Sequence, residues 1–600
     1  MTLPLGSILL TLTVLLSAGL LCAGEPRRDV IVVTGTFDPV PLEESERPVT
    51  VLDTARLRLV SNSLASLLRL EPSLDVRERS PNGVQADVSI RGSTFGQTLV
   101  LLNGLRLNDP QSGHHNMDIP VPLESVARIE VLRGAGSTYY GSDAAGGVVN
   151  VITDEPEYSE FRLRSAVGNH GVNQQQGSLA LVGGPVSQQL SFARDFSSGF
   201  RANRDYRNLS FASTTGVSSR YGDTRLLAAH NDRPFGAEGF YGNYPSWERT
   251  RTWFGSVQHS FPSDTQVAVA YRRHTDLFVL YRDRPEVFTN HHAAESYQGA
   301  VRQRTPLGLN AALHFGAEVL GDRISSTNLG RHGRTRGAGY VVFDARALQR
   351  FSLSLGIRDE VYRSGNHEPS PNAAIGFWVS QQLKLRAGVS RAFRLPSYTD
   401  LYYHDPANLG SPGLLPESAV SYEAGADWRP SQAVGGDVTV FHRRETDVID
   451  YVRRSPADIW RATNFHRLRF TGAEAALRLR LAGTQQIDLR YTALRGVTSL
   501  PPAIQTKYVF NYPVHSGVVS WLATLPKNSM LRMRIGVLER LARAPYTLID
   551  LYLAAKPGRF QPFVQVTNMT GSRYEEIAGV AMPGRAILGG VQLVVCCRTK

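Results

Sequence analysis

Beyond Pro156 the chain alternates apolar and polar residues with a period of two, and it does so for about 440 residues without a credible helix. Leu383-Lys-Leu-Arg-Ala-Gly-Val389, Ile487-Asp-Leu-Arg-Tyr491 and Met530-Leu-Arg-Met-Arg-Ile535 each place apolar side chains on one face of a strand and polar ones on the other. A half-buried soluble sheet would show this pattern, and so would a membrane barrel with an apolar exterior and a polar lumen. The N-terminus favours the barrel. Leu3 to Ala23 carries no charged side chain and ends in small residues, which reads as an export signal cleaved near Ala23 or Gly24. No Lys or Arg precedes that stretch, and an anchor helix is the alternative reading, disfavoured by the small residues at its end. Farther on, no charge-free run approaches the roughly 20 residues that a membrane helix needs. Hydrocarbon offers no water to an open sheet edge, so a spanning sheet must close.

The net charge of +12 comes almost wholly from Arg, which alternates with apolar residues as in Leu477-Arg-Leu-Arg-Leu481. Such charge lines one face of a strand and makes no phosphate-binding patch, so no nucleic-acid partner is expected. Adjacent Cys596 and Cys597 sit too close for an unstrained disulfide and have no ligand cluster beside them. Neither a nucleotide-binding loop nor a Gly-x-Ser-x-Gly nucleophile motif is present, so the expectation is no enzyme, no cofactor and no resident metal.

Residues 57–153 read as a compact mixed domain. Ser61 to Leu70 has helical spacing, and four apolar strands follow at Val88–Ile90, Leu99–Leu102, Arg128–Leu132 and Val148–Thr153, separated by Gly-containing turns. Ahead of that domain, Asp29-Val30-Ile31-Val32-Val33-Thr34 stands alone as a strand-forming run, stopped by Gly35, Pro39 and Pro41. It is either the first strand of a folded domain or a segment that pairs with the sheet edge of another protein.

These residues resemble a known family, the TonB-dependent outer-membrane receptors. The match covers Asp29–Thr34, Ile90-Arg-Gly92, Val100-Leu-Leu-Asn-Gly104, Ile119-Pro120, Ile129-Glu-Val-Leu-Arg-Gly134, Tyr140-Gly141 and Gly146–Thr153. It continues through Phe393-Arg-Leu-Pro-Ser397, Leu401-Tyr402, Leu415-Pro-Glu417, Tyr422-Glu423, Thr471-Gly-Ala-Glu474, Asn568, Arg573-Tyr574 and Met582-Pro-Gly-Arg585. The resemblance implies a transmembrane antiparallel β-barrel of about 22 strands with an N-terminal mixed α/β plug in its lumen. It divides the chain into a signal (residues 1–24), a TonB box and linker (25–50), a plug (51–155) and a barrel (156–600). The C-terminus departs from the family, whose last strand usually closes on an aromatic residue, whereas this chain ends Cys596-Cys-Arg-Thr-Lys600.

The same resemblance implies active uptake by a monomer in the bacterial outer membrane, in contact with its lipid. Asp29 to Thr34 would be the TonB box, pairing by strand addition with the periplasmic energy transducer TonB. Arg91 and Arg133, with Glu423 and Glu474, would form ion pairs between plug and barrel. Ligand candidates in the plug are Asn108, Asp109, Gln111, His114, His115 and Asn116; the two His side chains suit a metal chelate or simple polar lining. On the barrel side Phe235, Phe240, Tyr241, Tyr244 and Trp247 would hold a flat or bulky ligand, or form a membrane girdle. The pattern is nearest the vitamin B12 (cobalamin) receptor branch, with a ferric siderophore, haem or another metal chelate as competing cargo. A passive porin and an outer-membrane enzyme are the alternatives from other classes.

Overall fold

The computed structural model describes residues 31–597, except 38, 59–60, 309, 347–349, 363–364, 466, 482–484, 502 and 557. The expected signal and the first two residues of the isolated run lie outside the described residues. From Ser159 to Cys597 the alternating segments form 22 antiparallel strands in a closed barrel. Its first strand, Ser159–Gly168, pairs along its length with its last, Ala586–Cys597, so Cys596 and Cys597 do not interrupt closure. Period two sets the two faces. Val267, Val269 and Tyr271 point outward and are exposed, while Ala270 and Arg272 point inward and are buried. Arg164, Arg358, Arg443 and Arg532 are among the most buried side chains of the molecule, which identifies the lumen as a polar interior.

Connections are short at one end of the barrel, as at Gly183–Val186, Ser219–Gly222 and Ser260–Thr265, and longer at the other. Arg394–Glu417, Thr446–Leu468 and Thr498–Pro513 span that second end, which is the outer one by the usual asymmetry of such barrels. Asn231–Gly236 pairs in register with Trp247–Thr252, so the polar and aromatic stretch there is largely strand, with only its middle left as an outer connection. Phe235 and Trp247 therefore sit on strand ends.

Inside the lumen lies a five-stranded sheet in the order Val49–Asp53, Val126–Arg133, Gly147–Thr153, Thr98–Leu102, Leu105–Arg106. Its apolar face, with Leu102, Ile129 and Val149, packs with a helix at Leu64–Leu68 and meets Ala212, Leu227, Ala229 and Phe254 of the barrel wall. The helix is shorter than its apolar spacing suggests, because Ser63 caps it by accepting a hydrogen bond from the Ser66 amide. A separate hairpin pairs Leu74–Ser80 with Gln85–Ile90. Leu74-Asp-Val-Arg-Glu-Arg-Ser80 is too charged to read as a strand in isolation, yet every residue of it is buried, its charges answered by Arg540 of the wall and by Arg69 and Asp87 of the plug.

Candidate functional site

Plug and barrel meet at two polar junctions. The first lies midway along the wall. Arg91 donates to both oxygens of Glu474 at 2.7 Å and to Glu423 at 3.1 Å; Arg133 donates to Glu474 at 3.0 Å. The four residues named from sequence thus come together, and a fifth joins them. Arg47 bridges Glu423 at 3.0 Å, Asn372 at 3.0 Å and the Ala135 carbonyl at 2.6 Å. Asp437 adds a carboxylate 3.6 Å from Arg133, so three guanidinium groups face three carboxylates. The backbone explains the glycines beside these Arg residues. Gly92 has φ +73°, and a Cβ there would lie 2.6 Å from Leu494 and 2.8 Å from Phe470 on the wall. At Gly134, φ +94°, a Cβ would sit 3.0 Å from the Glu423 carboxylate. Only glycine lets the Arg-bearing turns approach this closely.

Two further ties secure the plug. Arg540 grips both oxygens of Asp75 at 2.7 and 2.8 Å. Glu71 pairs with Arg490 and accepts from Thr50 and Ser73. Burial would raise the Glu71 pKa, but Arg490, Arg133 and those two hydroxyls bring it down to about 2.

At the inner end, Ile31–Val32 pairs antiparallel with Val40–Pro41 instead of hanging free. Val32 is buried with Val40, Leu99, Leu132 and Val148 of the plug. The Val33 and Thr34 amides both donate to the Glu130 carboxylate, at 2.9 and 2.8 Å, and Asn150 donates to the Thr34 hydroxyl. Ile31 to Thr34 is thus stowed against the plug by few bonds, on a chain segment that a partner strand could capture.

The second junction lies at the outer end, where the plug loop from Asn108 to Asp118 meets the wall. Asn108 and Asn116 brace the loop itself, accepting from the amides of Val100 and Asp109. Asp109 pairs with Arg272 and His274 at 2.8 Å, Asp118 with Arg233 at 3.1 Å and with His274 at 2.9 Å, and Gln111 donates to Asp276 at 2.9 Å. His115 is buried among Asp118, His274, Glu248 and Asp276. The neighbouring His114 has a different setting. It bonds Asp87 at 2.8 Å and stacks on Phe95 with ring centres 4.1 Å apart, and burial lowers its pKa although Asp87 opposes this.

The plug apex carries an aromatic platform that sequence reading missed. Phe95 and His114 meet Tyr508 from an outer connection at 5.1 and 5.6 Å, with Tyr451 beside it and Lys507 over both Tyr rings. Of the aromatic group expected from the barrel, Phe235 and Phe240 pack inward with Val84 and Val580, whereas Tyr241 and Tyr244 are exposed at the mouth. Trp247 is half-buried at its strand end. The Tyr241 hydroxyl donates to Glu248 and accepts from Gln85 of the plug. Near the platform Arg79 is answered by Asp87 at 3.1 Å and Arg77 by Asp75 at 3.6 Å, while Lys507 donates to Asn408 at 2.8 Å.

Residues 41–148 match the TonB-dependent receptor plug domain, and residues 176–572 match the TonB dependent receptor-like beta-barrel. The chain belongs to the TonB-dependent receptor family. It is an outer-membrane transporter of that family. Among relatives, it is similar to the vitamin B12 transporter BtuB of Photobacterium profundum, 24% identical over 418 residues and covering 67% of each chain. It is also similar to the iron-regulated outer membrane virulence protein of Vibrio cholerae serotype O1, 26% identical over 554 residues and covering 81% of each chain. The crystal structure of the siderophore receptor PirA from Acinetobacter baumannii superposes with a TM-score of 0.75, at 14% identity, over 91% of this chain and 98% of that one. That likeness concerns the fold.

Proposed function

We propose that this transporter carries cobalamin, bound on the plug apex beneath the outer connections. The observation that carries this reading is the aromatic platform of Phe95, His114, Tyr451 and Tyr508, whose neighbouring Arg77 and Arg79 are paired to carboxylates. A bulky ligand of low net charge gains from flat aromatic surface, whereas a polyanionic ferric chelate wants cations free of carboxylate partners. The relationship to a vitamin B12 transporter supports the same reading. Ligand contact on the outer loops frees Ile31–Thr34 from Glu130; TonB then pairs with the released box and pulls the plug. The Arg and Glu junction midway along the wall holds the plug until that pull arrives.

A ferric chelate is the second reading, favoured by the longer alignment with the iron-regulated protein. Binding of cyanocobalamin, haem and a ferric tris-catecholate to the detergent-purified chain decides between them, followed by uptake in cells with and without TonB. The expected result is saturable cobalamin binding and TonB-dependent uptake. Tight ferric-chelate binding without cobalamin binding would move the assignment to the second reading.

A further inference from the structure

Neither the mid-wall junction nor the aromatic platform accounts for the chemistry at His115. Glu248 and Asp276 stand on paired strands, Trp247–Ser260 and Thr265–Val279, where Asp276 is opposite Thr250 and both carboxylates face the lumen. One ligand atom from each of His115, Glu248 and Asp276 lies within 4.8 Å of the others. All three residues are buried, at 5%, 2% and 6% exposure. Yet Glu248 Oε1 and Asp276 Oδ1 have no hydrogen-bond partner. The remaining carboxylate oxygens are oriented by neutral donors, the Tyr241 hydroxyl at 2.8 Å from Glu248 Oε2 and the Gln111 amide at 2.9 Å from Asp276 Oδ2.

Charge counting sharpens the anomaly. Arg272 answers Asp109 and Arg233 answers Asp118. Among the described residues, Glu248 and Asp276 have no Arg or Lys ion pair; the nearest ionisable partner of Asp276 is His115, whose Nε2 is 3.5 Å from Oδ2. Two buried carboxylates that share one imidazole leave Glu248 without an ion pair, which is unfavourable.

We propose that His115, Glu248 and Asp276 bind a divalent transition-metal cation, of which zinc is the type, and so tie the outward plug loop to the barrel wall. One imidazole and two carboxylates form a donor set suited to such a cation. Its two positive charges match both carboxylates, whereas an imidazolium at His115 answers one of them. Behind the imidazole, Asp118 Oδ2 lies 3.5 Å from His115 Nδ1, where a carboxylate fixes the ring and directs Nε2 to the metal. Zinc needs donors at about 2.0–2.2 Å, so the three atoms must draw together, which the unpartnered oxygens are free to do. Three protein donors leave a coordination position for water or for a donor atom on a passing ligand. The tie is independent of the cargo, and its failure would leave the cobalamin reading untouched.

The test uses the full mature chain, tag-free in detergent and dialysed against a chelator, titrated with zinc by calorimetry and with cobalt(II) by visible absorption. One metal per chain is expected. His115→Gln, Glu248→Gln and Asp276→Asn should each weaken binding by roughly 100-fold or more, and Asp118→Asn by about 10- to 100-fold. His367→Gln, on an exposed strand position, should leave binding unchanged. Glu248→Gln keeps the test decisive if the His115 variant fails to form a heat-resistant barrel, because it removes charge from an overcharged site. The proposal is overturned by the absence of stoichiometric binding, or by binding that survives both His115→Gln and Glu248→Gln.

Discussion

The two junctions between plug and barrel solve the same problem with opposite chemistry. Midway along the wall, Arg47, Arg91 and Arg133 meet Glu423, Glu474 and Asp437, a balanced set of fixed cations and carboxylates. At the outer end Arg233 and Arg272 answer Asp118 and Asp109, His274 bridges the same two carboxylates, and His115 stands between Glu248 and Asp276. The first junction is held by fixed charges; the second relies on imidazoles, and the metal proposed at His115 would complete it. A plug that must stay docked yet respond to an external event needs both kinds of contact, one constant and one conditional.

Removing one partner from each junction breaks the comparison most sharply. Glu474→Gln leaves Arg91 and Arg133 buried without their main acceptor, and plug docking should weaken by about 3–5 kcal/mol, read as accelerated proteolysis of the plug or as steady ion leak in planar bilayers. Glu248→Gln in metal-free protein should do the reverse or nothing, because it relieves like-charge repulsion. An equal loss in the two variants would erase the distinction. A double-mutant cycle of Arg133→Ala with Glu474→Ala should show coupling of about 1–3 kcal/mol, and strict additivity would refute their direct interaction.

Acid should loosen the plug next. Glu71 is held at about 2, below the ordinary 4.5, so its bond to Arg490 stabilises docking fully above pH 4.5 and is lost as pH falls towards 2. The size is about 3 kcal/mol at neutral pH. Glu71→Gln should flatten that part of the pH profile of plug protection in hydrogen exchange, and an unchanged profile would remove Glu71 from the account. Smaller again is the stowed segment: Glu130→Ala deprives two amides of their acceptor, costing about 1–3 kcal/mol. A spin label at Thr34 should become mobile without ligand; a label that stays immobile would show that Val32 burial alone holds the segment.

The barrel was legible because period two survives wherever one face meets lipid and the other water. The plug strands at Leu99–Leu102 and Val148–Thr153 were legible for a related reason, since their apolar residues make a core. Leu74–Ser80 was not, because in a polar lumen the partners of Asp75 and Arg79 are Arg540, far along the chain, and Asp87, across the hairpin. Arg91 and Arg133 stood out through their glycine neighbours, but Arg47 has no such marker and was missed. The outer junction draws on the plug loop and three strands of the wall, four segments that only the closed barrel brings together. A signal did exist. Arg272, His274 and Asp276 recur at alternate positions of one strand, where a lumen face carries three ionisable groups in a row. Tyr451 and Tyr508 sit in outer connections whose folding no local pattern specifies.

The central claim is that the ligand is moved by a pull on Asp29 to Thr34. Ligand binding to purified Val32→Pro protein, compared with TonB-dependent uptake by cells expressing it, tests that claim most directly. Proline removes a backbone donor from the segment and cannot complete a partner's strand ladder. Binding at the wild-type level with uptake lost is the result predicted; uptake as fast as wild type would contradict it.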